Sequence, residues 1–213
     1  SPDSIPVTEN SPVKKAESPY GATKQMGEEI IREYVKAHAE TDCILLRYFN
    51  PVGAHPSSLI GELPLGRPQN LVPGITQTAI GKIEQLQVYG NQFETRDGSC
   101  IRDYIHVCDI AHAHTLALQF LIEEKNKSDS EIFNLGTGNG VTVLEAIKAF
   151  EKISGVQLNY KITDPRPGDV VAIYANNDHA VKTLGWHIKF SLEDMMKTAW
   201  DWEKKIKQDE NLM

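Results

Sequence analysis

Apolar positions in this chain alternate between short continuous blocks and longer runs of helical period. Residues from about Tyr20 to His38 predict a helix, and "CILLRYFNP" is an unbroken apolar block of the kind buried on both faces of a parallel sheet, expected to stop at Asn50-Pro51. A helix over "LVPGITQTAIGKI", a short strand "LQVYG" and a strand of alternating character, "CIRDYIHV", follow. Next comes an amphipathic helix, "DIAHAHTLALQFLIEE", with Asp109 expected as its cap, and then a buried strand, "EIFNLG". A further helix starts at Thr142, where Glu145 completes a capping box, and two helical stretches close the chain.

Between these lie the breakers. Residues 1–19 hold four of the eleven prolines and read as extended loop, as does the Gly- and Pro-rich "VGAHPSSLIGELPLGRPQ". The tract "KNKSDS" is a surface turn, and the stretch after "VQLNYKI" is an irregular Pro-rich loop. No internal repeat is visible. Strands alternating with helices predict an α/β fold built on a parallel sheet.

Composition narrows the function classes. A chain of 213 residues, 40% hydrophobic, buries a real core, and no apolar run approaches the roughly 20 residues of a membrane span. A soluble, unexported protein without a membrane partner is expected. Its three cysteines are odd in number and form no C-x-x-C pair, which argues against a disulfide framework or zinc site and for a reducing cytoplasm. The net charge of −7 opposes nucleic-acid binding, so an anionic ligand needs locally placed arginines.

Candidate chemistry begins at "SPYGATK". Tyr20 and Lys24 lie four apart at the mouth of a helix and share a face, and a nearby cation favours the phenolate form of a tyrosine, making it a usable base. A packed tyrosine beside a solvated lysine is the plain competitor. The glycine-rich "GTGNG" follows a strand and opens a helix, yet its sixth place is Val141 rather than Gly, so it reads as a tight turn instead of a dinucleotide loop. His112 and His114, two apart on a helix, face different ways and make a poor metal pair, and no metal is expected. Arg102 sits inside a strand, where it faces a ligand or pairs internally with Asp103 or Asp97. In "DPRPGD" two prolines and a glycine hold Arg166 and Asp169 in a stiff loop, suited to a phosphate or to a surface ion pair.

Together, "SPYGATK", "RYFNPVGAHPSSLIGE", "NLVP", "RDYIHV", "NLGTG" and "RPGD" resemble, in order and approximate spacing, the UDP-glucose 4-epimerase family of extended short-chain dehydrogenases/reductases. The likeness runs from about residue 5 to about 205. It implies the C-terminal part of such an enzyme, without the family's glycine-rich NAD loop. The fold implied is the C-terminal part of a Rossmann-type parallel-sheet domain, residues 1–50 and 105–136. A smaller α/β nucleotide-sugar-binding domain would take residues 51–104 and 137–213.

The resemblance also implies roles. Tyr20 would take the proton of the hexose 4-hydroxyl while NAD accepts the hydride, with Lys24 favouring the ionised tyrosine and contacting the nicotinamide ribose. Tyr48 would lie near nicotinamide and sugar, and Asn50, Asn70 and Leu71 near diphosphate and hexose. Gln87, Val88 and Tyr89 would border the uracil, Tyr89 through its backbone. Arg102 and Arg166 would clamp the diphosphate and Asp169 a ribose hydroxyl. Ile173 would border the sugar's C2 substituent, unless it is only a strand core residue. A UDP-hexose is then the substrate, NAD the cofactor and a homodimer the full-length assembly, this chain alone being inactive. A nucleotide-sugar decarboxylase or dehydratase, or a non-catalytic binding module, remains the alternative.

Overall fold

A computed structural model describes residues 2–166 and 168–210; Pro167, the second proline of "DPRPGD", lies outside the described residues. Helix α1 spans Pro19–Ala37, and its start follows from local chemistry: the Ser18 hydroxyl accepts the Gly21 N–H at 3.0 Å, while Pro19 occupies a first-turn place where no N–H is needed. Strand β1, Cys43–Tyr48, pairs in parallel with β6, Ser130–Leu135, with Cys43 opposite Ser130 and Tyr48 opposite Leu135. Only Leu45 of β1 is buried, because β6 is its one strand partner among the described residues.

The apolar block does not stop at Asn50-Pro51. After Phe49 the chain changes partner, and β2, Asn50–Val52, runs parallel to β5, Tyr104–His106, where the Asn50 N–H meets the Asp103 carbonyl at 2.9 Å. "CIRDYIHV" likewise divides. Strand β4, Ile101–Arg102, pairs antiparallel with β7, Val141–Thr142, and β5 is buried at all three positions rather than alternating. Helix α2 covers Leu71–Ala79, and β3, Leu86–Tyr89, pairs in parallel with β8, Tyr160–Thr163.

Helix α3, Val107–Ile122, begins before Asp109, and its cap is His106, whose Nδ1 accepts the Cys108 N–H at 3.0 Å. Asp109 is fully buried and serves another segment: its carboxylate accepts the Lys189 and Phe190 N–H groups, and its carbonyl accepts the Trp186 indole at 2.9 Å. Burial pushes the Asp109 carboxyl up from the ordinary range, against those two hydrogen bonds. Helix α4, Val143–Ser154, carries the expected capping box of Thr142 and Glu145 and ends at Gly155. Helices α5, Asp178–Leu184, and α6, Leu192–Glu210, close the fold.

Two cores result. One joins Ile105, Phe120, Phe133 and Leu135 of β5, α3 and β6 to Ala180, Leu184 and Trp186, so α5 and its sequel pack with the β1–β6 sheet. The other joins Val72, Ile75, Val88, Phe150, Met195 and Met196 from α2, β3, α4 and α6. No helix among the described residues is long and apolar enough to cross a membrane.

Candidate active site

Where β2, α2, β3 and β4 converge they line a cavity of about 400 Å³. Asn50 enters it from the start of β2, and Asn70 and Leu71 from the entry of α2. Strand β3 supplies Gln87, Val88 and Tyr89; Val88 is 1% exposed and shapes the wall from behind. The Tyr89 hydroxyl donates to the Gln87 Oε1 at 3.0 Å, and the Asn70 amide donates to the Glu62 carboxylate at 2.7 Å. Nine residues singled out in the sequence therefore share one cavity, the last three being Arg102, Arg166 and Asp169.

Those three form its charged end. Asp169 lies between two guanidinium groups: Arg166 approaches it through Nε and Nη2, each at 3.2 Å, and Arg102 Nη2 stands 3.8 Å away. Arg102 is steadied by its own donors, Nη1 reaching the Ile101 carbonyl at 2.9 Å and the Val170 carbonyl at 2.5 Å. Its acidic partner is thus Asp169, neither Asp103 nor Asp97. The Arg166 guanidinium also sits over the Tyr89 ring, 4.5 Å from its centre, which fixes the plane of the fork. Two arginines sharing one carboxylate retain donors for a doubly charged anion. The neighbouring Cys100 thiol and Tyr104 phenol are both pushed up by burial and stay neutral, so neither is a ready nucleophile or base.

A second, more open cleft holds Lys24 of α1, Tyr48 at the end of β1, and Ile173. The chain segment 166–170 separates the two, since Arg166 and Asp169 line the first while Gly168 and Val170 line the second. Tyr20 is not part of the lining of either cleft. Its ring is 72% exposed and lies under the Lys24 ammonium, 5.3 Å from Nζ to ring centre, so the pair does share a helix face. Tyr48 is half-exposed at the carboxyl end of a parallel strand, the usual place for a crevice in such sheets.

The "GTGNG" turn has a different use. Its Thr137 N–H and hydroxyl and its Gly138 N–H all donate to the buried carboxylate of Asp103, which also takes the Ala175 N–H. A Cβ on Gly136 would stand 2.3 Å from that carboxylate, so the glycine is required by the close approach. An acidic residue therefore occupies the turn where a dinucleotide loop would hold phosphate.

Sequence reasoning left Arg67 unassigned inside a loop, yet it lines the same cavity as Arg102 and Arg166. The available signal was its place in "GRPQN", between a glycine and a proline directly before α2.

The family model described as GDP-mannose 4,6 dehydratase matches residues 1–199. Among curated relatives, the UDP-glucose 4-epimerase of Bacillus subtilis (strain 168) is 48% identical over 202 residues, covering 95% of this chain and 58% of that protein. A bifunctional UDP-glucose 4-epimerase and UDP-xylose 4-epimerase of Pisum sativum is 48% identical, with 95% and 57% covered. A UDP-glucose 4-epimerase structure from Bifidobacterium longum, in complex with NAD+ and UDP, superimposes with a TM-score of 0.89 at 43% identity, over 96% of this chain and 60% of that one. One from Stenotrophomonas maltophila, with bound NAD and formylated UDP-arabinopyranose, gives a TM-score of 0.92 at 43% identity, over 97% and 60%. The chain thus spans rather under two thirds of the length of the relatives it matches.

Proposed function

The chain belongs to the GDP-mannose 4,6 dehydratase family of extended short-chain dehydrogenases/reductases, and we propose that the enzyme of which it forms part interconverts UDP-glucose and UDP-galactose. The observation that carries this reading is the pair of adjoining clefts on either side of segment 166–170, an arginine-lined cavity on one side and Lys24 with Tyr48 on the other. The diphosphate then meets Arg102 and Arg166, Asp169 turns to a ribose hydroxyl, and the uracil lies along Gln87, Val88 and Tyr89. Asn50, Asn70 and Leu71 hold the diphosphate and sugar, and Ile173 faces the sugar's C2 substituent.

Lys24 and Tyr48, which line a half-open crevice at a strand's carboxyl end, fit the nicotinamide end of an NAD molecule, and the exposed phenol of Tyr20 stands outside that lining beneath the Lys24 ammonium. The cofactor supplies the hydride acceptor for C4 of the hexose. Tyr20, ionised beside the Lys24 ammonium, removes the proton of the 4-hydroxyl, stays a neutral phenol while the sugar turns over, and then returns that proton and becomes phenolate again. Tyr48 borders the nicotinamide and the sugar.

The part around the core of α2, β3, α4 and α6 carries the nucleotide-sugar, and the β1–β6 sheet with α3 belongs to the cofactor part; α5, expected with the former, packs against the latter. The exposed apolar residues Met26, Ile30 and Tyr34 of α1 and Leu118 and Ile122 of α3 suit a homodimer contact. The free cysteines Cys43, Cys100 and Cys108 suit the cytoplasm.

The test is product analysis with UDP-galactose. The full-length enzyme forms UDP-glucose, its Tyr20→Phe variant loses on the order of 10²-fold or more in turnover, and this chain alone with added NAD is inactive. A near-normal rate in full-length Tyr20→Phe, or a product other than UDP-glucose, overturns the assignment.

A further inference from the structure

We propose that Arg67 is a third arm of the anion clamp, joining Arg102 and Arg166 on the phosphates of the nucleotide ligand; this rests on the nucleotide-sugar reading of the cavity. The sequence holds six arginines, and five of them have a carboxylate partner: Arg32 and Arg47 share Glu28, Arg96 has Glu145, and Arg102 and Arg166 share Asp169. Arg67 alone among the described residues has none, in a chain with an excess of acids. Its place is also particular. It lines the 400 Å³ cavity and a neighbouring open cleft that contains Lys82 and Lys161. Glu84 lines that second cleft but forms no ion pair with Arg67.

An exposed unpaired arginine is common on a surface, but this one is held in a defined posture. Gly66 takes a φ of +77°, which turns the chain sharply, and Pro68 restricts the Arg67 backbone to an extended form. Arg67 thereby enters the cavity lining from a backbone restricted on both sides, in the same short stretch as Gln69 and Asn70 at the entry of α2. Charge balance favours the same assignment. The ionised groups of the cavity are Arg67, Arg102, Arg166 and Asp169, a surplus of two positive charges that matches a diphosphate; without Arg67 the surplus falls to one. Arg67 touches ligand and no catalytic atom, so its contribution is to affinity.

The experiment titrates the full-length enzyme calorimetrically with UDP and with uridine, in the wild type and in Arg67→Ala and Arg67→Lys. For a partly exposed, charge-assisted contact, Arg67→Ala should weaken UDP about tenfold, with the gap shrinking as salt is added. Arg67→Lys should keep part of the affinity, since the charge remains and the fork is lost. Uridine should bind all three alike. A UDP affinity within about twofold of wild type in Arg67→Ala overturns the proposal, and so does an equal loss for uridine, which would place the contact on the base. A wild-type enzyme that binds neither compound overturns the nucleotide-sugar reading and the clamp with it.

Discussion

Lowering the pH should destabilise this fold through His106 before the carboxylates respond. The imidazole is fully buried, stacked on Phe190 with ring centres 3.9 Å apart, and spends both nitrogens inside the protein. Nδ1 accepts the Cys108 N–H as the cap of α3, so Nε2 carries the proton and donates to the Thr198 hydroxyl of α6 at 3.0 Å. Protonation would strip the cap of its acceptor and place a cation in the core. Burial pushes the His106 pKa down from 6.5 to about 4, with Asp194 opposing and His55 adding slightly to the shift. Because the folded value lies below the unfolded one, the unfolded chain binds more protons between them. Stability is therefore full above the unfolded value and is lost as pH falls toward the folded one. The whole shift corresponds to about 3 kcal/mol, of which about 2 kcal/mol is lost between about pH 7.5 and about pH 5. Urea unfolding across that range reads the slope directly. In His106→Asn the side chain keeps the cap and removes the titration, so the difference in slope between the two proteins isolates the imidazole. A ring that titrates near 6.5 by NMR in the folded protein, or an unchanged slope in the variant, refutes the argument.

Other outcomes follow from the same contacts. Asp103→Asn should cost about 2–4 kcal/mol in urea unfolding, since an amide cannot accept from Thr137, Gly138 and Ala175 together and the turn's N–H groups are left unpaired. In the full-length enzyme, Ile173 should allow weak use of UDP-N-acetylglucosamine, with a preference for the plain sugar of roughly 10 to 200-fold, the worth of a few apolar atoms in a pocket. Ile173→Tyr should abolish the N-acetyl activity and spare the other; equal specificity ratios in Ile173→Tyr and Ile173→Ser remove this residue as the gate. Ile30→Lys on the exposed face of α1 should shift the protein to monomer in sedimentation, and a variant that still associates moves the contact elsewhere.

The elements that were legible in the sequence are those whose signals are local. The capping box of Thr142 and Glu145 depends on residues within one turn and stands as read, and α1 begins at Pro19, one residue before the expected Tyr20. What could not be read was partner choice. "CILLRYFNP" is one apolar block, yet its two halves pair with different strands, and no periodicity records that β2 leaves β6 for β5. Asp109 has the composition of a cap, but its carboxylate is taken by Lys189 and Phe190, 80 residues on. The same limit applied to the site. The arginines were identifiable by their stiff or strand settings, whereas the carboxylate that Arg102 pairs with was not, because Asp169 arrives from a distant loop while Asp103 is adjacent and faces the other way.

That loop also brings the two clefts side by side. Segment 166–170 presents Arg166 and Asp169 to the arginine-lined cavity and Gly168 and Val170 to the cleft of Lys24 and Tyr48, while the Val170 carbonyl anchors Arg102. Asp169 takes Nε and Nη2 of Arg166 and stands 3.8 Å from Arg102 Nη2, so in the proposed function a diphosphate draws on the donors it leaves over. The anion cavity and the space in front of Lys24 are therefore walled by neighbouring residues of one loop, which is what the proposed function requires of a site that joins a bound diphosphate to a reacting sugar.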